Sequence, residues 1–458
     1  MKTKLYIIMI VMGCAFTFSP NELFAVGSSG IENASFSAKS LAQSNAVVAQ
    51  ADEPAAISYN PAGIVDLPGF QFQQNLSFIS AFTFFEGAEA MSGGSGSTMR
   101  SSATVAPVPT GYLTMNLGDL ADGRVALGVG SDSPFGLINK YDSQHPTVRY
   151  AGWRNWLYMY TIKPTVAVKL TDWLAIGAGP MYYRVYDWGG IQAYPNSLAY
   201  GAGTADGQVR LNLSGNHWGW QMGVLAKPHR MHQFGFYFRS PVVVNTSGLA
   251  KVERSTQSGN FETGAYAKYT LPLNFTWAYA FRPNEKSTIE FDFGYTRLST
   301  YERLFIDHDF VSTNDATVIN GIGRTAKDWR DSFSWHLGGN YQVTDNLTLM
   351  GGSFFYTFAG ANDSFIPATP DGHRLGVSTG ASYKVHKNVT LDLMYLNVWN
   401  LKREINNDIG NVSVLSTSEE GDWMTYTQEF TISVKVMWDN FVEDVVKKGI
   451  KFRAASEE

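Results

Sequence analysis

The stretch TIEFDFGYT, Thr288 to Thr296, alternates without a break: Ile289, Phe291, Phe293 and Tyr295 fall on one face, and Thr288, Glu290, Asp292, Gly294 and Thr296 on the other. A period of two reads as a β-strand. An aromatic stripe opposite two carboxylates suits a strand with lipid on one side and a polar interior on the other. LPLNFTWAYAF repeats the arrangement, with Leu271, Leu273, Phe275, Trp277, Tyr279 and Phe281 in step. Near the C-terminus, Phe430, Ile432, Val434, Val436 and Trp438 oppose Glu429, Thr431, Ser433 and Lys435. The strands of a soluble sandwich alternate too, but they average about 5 or 6 residues. These run nearer about 10 and keep aromatics at their ends, as strands that cross a bilayer do.

The bulk composition agrees. The chain has 458 residues with Gly 44, Tyr 23, Phe 29 and Trp 12, and only 16% of residues are charged, against about 25% in an average soluble domain. The net charge of -5 is mild and no Lys/Arg cluster points to nucleic acid. Lys2 and Lys4 precede the apolar run LYIIMIVMGCAFTF, and NELFA ends at Ala25, so residues 1–25 read as a secretory signal peptide. A rival reading makes VMGC a lipoprotein cleavage box around Cys14, the only cysteine. Either way the mature body has no disulfide. Beyond this segment no apolar run is long enough for a membrane helix. The route left into a membrane is the closed β-barrel.

The turns allow a count. Six short polar turns recur at 118–123, 171–172, 227–232, 283–286, 344–346 and 386–388, and seven longer Gly/Ser/Asn/Asp-rich segments lie near 81–104, 137–154, 187–210, 244–268, 299–330, 359–372 and 401–422. Thirteen connections join fourteen strands, so both termini fall on the short-turn, periplasmic side of an all-β, 14-stranded antiparallel transmembrane barrel over 69–438. Residues 26–68 are rich in Ala, Ser and Gly and fit a compact plug in the lumen better than a flexible leader. Residues 439–458 form a charged periplasmic tail in which Phe441, Val442, Val445 and Val446 fit one side of a short helix.

One strand contains a fault. RVALGVG, Arg124 to Gly130, alternates cleanly and then runs into SDSPFGLINKY, where Pro134 and Gly136 flank Phe135. Proline removes a ladder donor and glycine weakens a strand. In a soluble sheet the pair would end an edge strand. In a barrel there is no free edge, so the same break leaves a gap in the wall that must be filled from within.

SFSAKSLAQSNAVVAQADEPAAISYNPAG, then SPFGL, PTVAVKLTDWLAIGAG and NHWGWQMGVLAKP, resemble in order the FadL/TodX-type transporters of long-chain fatty acids and aromatic hydrocarbons. The resemblance implies fourteen strands, an N-terminal hatch with an Asn-Pro-Ala motif, here Asn60, Pro61, Ala62 and Gly63, and a kinked third strand whose lateral opening is Pro134, Phe135 and Gly136. It implies passive uptake through the outer membrane. The segment DSFIPATPDGHR resembles a region lining the family's internal site, which adds Asp371 and Arg374. One departure is that family members end on the last strand's aromatic residue, whereas twenty residues follow Trp438 here.

A fatty acid needs a cation for its carboxylate, and a guanidinium supplies two parallel donors with permanent charge. By strand parity Arg239 points inward with Gln233, Gly235 and Tyr237, and Arg374 with Gly376, Ser378 and Gly380. Both are expected at the outer ends of their strands. The plainer reading is that they neutralise inward Glu290, Asp292, Asp392 and Glu429. Lys163, Lys169 and Lys435 face inward nearer the periplasm and read as structural. Tyr141, Tyr150 and Trp153 are candidates for a loose apolar docking groove, while Trp156 and Tyr158 are expected in the interfacial belt. No catalytic motif or cofactor signature appears. His229 and His232 read as turn residues rather than metal ligands, and the Ser334–His336 pair has no orienting partner in sequence. The expected partners are a hydrophobic ligand, membrane lipid and lipopolysaccharide, and the barrel-assembly machinery, for a monomer. A general porin and a surface adhesin remain the alternatives.

Overall fold

The structure, a computed structural model, describes residues 32–439 except 88–97, 103–104, 146–147, 195–205, 254–259, 301–304, 309–328, 361, 363–364, 366–368 and 406–420. The expected signal peptide, the tail beyond Asp439 and the Tyr150 side chain lie outside the described residues. Fourteen strands form a closed antiparallel barrel. They are β1 (Phe70–Gly87), β2 (Thr98–Arg100, Val105–Asn116), β3 (Val125–Asp132, Leu137–Lys140), β4 (Arg154–Lys169), β5 (Leu174–Tyr194), β6 (Gly207–His229) and β7 (His232–Arg239, Val242–Glu253). There follow β8 (Phe261–Leu271, Asn274–Asn284), β9 (Ser287–Thr296, Phe305–His308), β10 (Ser332–Gln342), β11 (Leu347–Tyr356), β12 (Arg374–His386), β13 (Val389–Ile405) and β14 (Gly421–Trp438). Each strand pairs with the next, and β14 closes on β1 from Phe70↔Trp438 to Gly87↔Gly421.

The alternation sorts side chains as the sequence predicts for most strands. Trp218, Trp220, Trp277, Phe291 and Trp335 stand exposed on the outer wall, while Glu290, Asp292, Thr431 and Ser433 are buried. Two stretches depart from expectation. In the segments near 187–210 and 244–268 the described residues are largely strand, because β5 and β6 pair as far as Tyr194↔Gly207 and β7 and β8 as far as Val252↔Phe261. Their Gly, Ser and Asn content suggests loop, but cross-strand partners override it. Leu271 faces inward, buried beside Val242 and Tyr269, rather than sharing the outer stripe with Trp277. The reason is a break at Pro272–Leu273. Arg239 pairs with Asn274 and Val242 with Leu271, which sets Pro241 opposite Pro272. Neither proline has an N–H to give, so the ladder is interrupted and the alternation changes face.

The densest packing is inside the barrel and is built from the N-terminal segment. Its elements are α1 (Ala38–Ala42), capped by Ser37, and two 3₁₀ turns, Pro54–Ser58 and Pro61–Asp66. Val47, Ala49, Ala55, Ile57 and Ile64 pack with inward Ala126, Ala167, Leu225, Tyr237 and Ala280 from the surrounding strands. Small wall residues make this possible. A Cβ on Gly177 would lie 2.4 Å from the Pro61 carbonyl carbon, and one on Gly223 2.1 Å from Asn60 Oδ1.

Candidate functional site

The fault read in SDSPFGLINKY is a break in the wall. The β2–β3 ladder runs from Asn116↔Ala126 only to Gly111↔Ser131. After Ser133–Gly136, the outer piece of β3 pairs with β4 alone, from Leu137↔Leu157 to Lys140↔Arg154. On the other side of the seam, Val105 and its neighbours pair with β1. Among the described residues the two sides meet again where the Ser102 amide donates to the Lys140 carbonyl, 2.8 Å. The outer piece is covered on both faces: Leu137 packs with Phe135 and Leu157, Ile138 with Trp156 and Ile191.

The N-terminal segment secures both sides of this break. Below it, buried Asp132 accepts from Lys163 Nζ and Ser58 Oγ, each at 2.5 Å, and from Thr161 Oγ1. At the break itself, the Asn33 amide donates to the Pro134 carbonyl at 2.8 Å, and Glu32 bridges Phe135 in antiparallel fashion. Phe135 is fully buried, with the Arg239 guanidinium carbon 4.8 Å from its ring centre. Arg239 Nη2 lies 2.6 Å from Glu32 Oε1. A backbone interrupted where lipid would face it thus finds its partners on the lumen side.

Asn60 carries more than a turn. Its side-chain amide donates to the carbonyls of Val48 (2.7 Å) and Val224 (3.0 Å), and its Oδ1 accepts from the Ala62 amide. Pro61 opens the second 3₁₀ turn, and Gly63 is required because a Cβ there would meet the Ala51 oxygen at 2.1 Å. At the short-turn end Asp66 accepts from Lys169 (2.6 Å) and Lys227 (2.7 Å). Burial pushes its carboxyl up, but the two ammonium groups outweigh that and hold it below the usual carboxylate range.

The arginines pair differently from the sequence expectation. Arg374 does open its strand and lies 2.7 Å from Asp371, both buried. Arg239 is not at an outer end: its strand resumes at Val242 after the Ser240–Pro241 interruption, so it sits within the wall's inner face. Neither arginine pairs with Glu290, Asp292, Asp392 or Glu429; their partners are Glu32 and Asp371. Glu290 and Asp292 instead accept backbone amides of the N-terminal segment. Lys163 and Lys169 are structural, on Asp132 and Asp66.

Of the docking aromatics, Tyr141 is buried in an apolar cluster with Phe85, Met99, Phe365 and Trp423, with Trp153 packed at its side. Trp156 is not in a belt. Leu157, Met159, Thr161 and Lys163 keep one buried face of β4, and Trp156 on the opposite face is buried as well, in the apolar cluster of Leu41, Ile138 and Ile191. His336 Nδ1 meets the Ser44 carbonyl at 2.7 Å and its Nε2 the Ser334 hydroxyl at 3.1 Å. Sequence reasoning missed Glu32, Asn33 and Asp132. Asp132 had a readable signal, as an acid on the parity of Gly130 directly before SPFG; Glu32 and Asn33 had none.

Residues 24–434 match the family model described as outer membrane protein transport protein (OMPP1/FadL/TodX). An outer membrane protein of Neisseria meningitidis serogroup B is 26% identical over 85% of this chain and 89% of its own length. The long-chain fatty acid transport protein of an Escherichia coli strain is 23% identical over 75% and 80%. Among solved structures, a Pseudomonas aeruginosa FadL homologue superposes with a TM-score of 0.74 at 16% identity, covering 90% of this chain and 99% of that one. The Pseudomonas putida toluene transporter TodX gives 0.67 at 14% identity, over 91% and 100%.

Proposed function

The chain belongs to the OMPP1/FadL/TodX family of outer membrane transport proteins, and from that premise we propose that it takes up hydrophobic molecules, long-chain fatty acids or aromatic hydrocarbons, by passive diffusion. The observation that carries this reading is the seam between β2 and β3, unpaired among the described residues between Gly111↔Ser131 and the Ser102–Lys140 bond and filled from inside by Glu32 and Asn33. Residues 26–68 act as a hatch, 69–438 as the barrel and 439–458 as a periplasmic tail, with both termini in the periplasm. A ligand settles among apolar side chains at the long-loop end, is held by Arg239 or Arg374 if it carries a carboxylate, and leaves sideways at Pro134, Phe135 and Gly136. Relatives named for long-chain fatty acids and for toluene support the ligand class.

The barrel functions as a monomer among membrane lipid and lipopolysaccharide after insertion by the assembly machinery. The densely packed lumen speaks against a general porin. Deleting the gene is expected to lower uptake of labelled oleate or toluene. Unchanged uptake of both would sink the proposal.

A further inference from the structure

The inner face of β9 presents two carboxylates, Glu290 and Asp292, both fully buried. They hold four consecutive backbone amides of the N-terminal segment. Glu290 Oε1 accepts from Ala49 N at 2.6 Å and Oε2 from Gln50 N at 3.0 Å, while Asp292 Oδ2 accepts from Val47 N and Val48 N, each at 3.3 Å. The turn then closes at Ala51, whose φ is 41° and whose amide returns to the Val47 carbonyl. The neighbouring wall is trimmed to admit it: Ala280 and Ala278 stand opposite the two acids on β8, and a Cβ on Gly235 would lie 2.5 Å from the Val48 oxygen.

The two acids do not share the load equally. Glu290 uses both oxygens, so a proton on either one removes an acceptor from an amide. Asp292 uses Oδ2 alone for the amides; its Oδ1 accepts from no donor, and the two carboxyls lie within hydrogen-bonding reach of one another. A proton on Oδ1 costs no amide bond. Among the described residues neither acid is paired with a cation. From β10, His336 opposite Asp292 is engaged with Ser44 and Ser334. From β8, Arg282 Nη1 lies 3.3 Å from the Gln233 side-chain amide of β7. On the segment, Lys39 is paired with Asp52, and the Tyr59 hydroxyl donates to Glu53. Two ionised carboxylates two residues apart in a dry site repel one another, and a single proton relieves that.

We propose that Glu290 and Asp292 form a one-proton latch on the N-terminal segment, closed while only Asp292 carries a proton and released when Glu290 takes a second. Release frees the Val47–Gln50 turn and lets ions through the lumen. The inference rests on the segment lying in the lumen and not on which ligand is carried.

The test is ion conductance of the purified full-length protein in planar bilayers, with folding checked by heat-dependent electrophoretic mobility. At neutral pH Asp292→Asn, whose remaining oxygen can still accept both amides, stays as quiet as the wild type. Glu290→Gln, which puts an NH2 where an amide needs an acceptor, raises open probability at least about tenfold. Acidifying the wild type from pH 7 to pH 4 produces the same openings, which gives a readout even where a variant fails to fold. An Asp292→Asn protein as leaky as Glu290→Gln, a folded Glu290→Gln protein that stays quiet, or a wild type indifferent to acid overturns the proposal.

Discussion

Arg239 holds Glu32: its Nη2 lies 2.6 Å from Glu32 Oε1 while its guanidinium carbon sits 4.8 Å from the centre of the Phe135 ring. One contact therefore joins the start of the N-terminal segment, the interruption in β7 and the break in β3. Glu32 presents to Arg239 the same group that a fatty acid would. Removing the arginine leaves a buried carboxylate unpaired, a loss of about 3–5 kcal/mol in comparable pairs. Arg239→Ala is expected to lower uptake of labelled oleate about tenfold or more and that of toluene much less. Equal losses for both ligands would make Arg239 a structural residue only.

The break in β3 is set by residues that cannot continue a ladder. Replacing Pro134 and Gly136 together with valine supplies the missing donor and two strand-forming side chains. The double variant is expected to remain a folded barrel by electrophoretic mobility and to lose most of its uptake. A fully active double variant would place the passage elsewhere.

Asp66 ties the base of the segment to Lys169 and Lys227. Burial raises its carboxyl and the two lysines lower it by more, so the net folded value lies below its ordinary 3.8. A depressed carboxyl contributes stability that is full above its ordinary value and is lost as pH falls through the lower, folded one. Thermal stability in detergent is expected to fall below about pH 4 in the wild type. Asp66→Asn should be less stable at neutral pH and show a smaller acid loss; an identical acid loss in the variant would assign it to other groups.

What could be read from the chain follows from what is local. Strand count, the faces of β9 and β14 and the fault at Pro134 depend on spacing along one segment, and these stood out. Trp156 reads as a belt residue because what buries it, Ile138 of β3 and Ile191 of β5, lies on other strands. Arg239 reads as a strand end because Pro241 follows it, and Leu271 reads as outward because the change of face at Pro272 depends on Pro241 across the sheet. The role of Glu290 and Asp292 was invisible for another reason: their partners lie more than two hundred residues away in sequence. An inward acid announces only that something polar meets it.

The most direct test of lateral passage fixes the segment to the break. Glu32 and Phe135 form an antiparallel bridge, and residues so paired have Cα atoms about 4.5–5.5 Å apart, within reach of a disulfide. The account predicts that a Glu32→Cys, Phe135→Cys protein loses oleate uptake when oxidised and regains it on reduction. Equal uptake in the oxidised and reduced protein would contradict it.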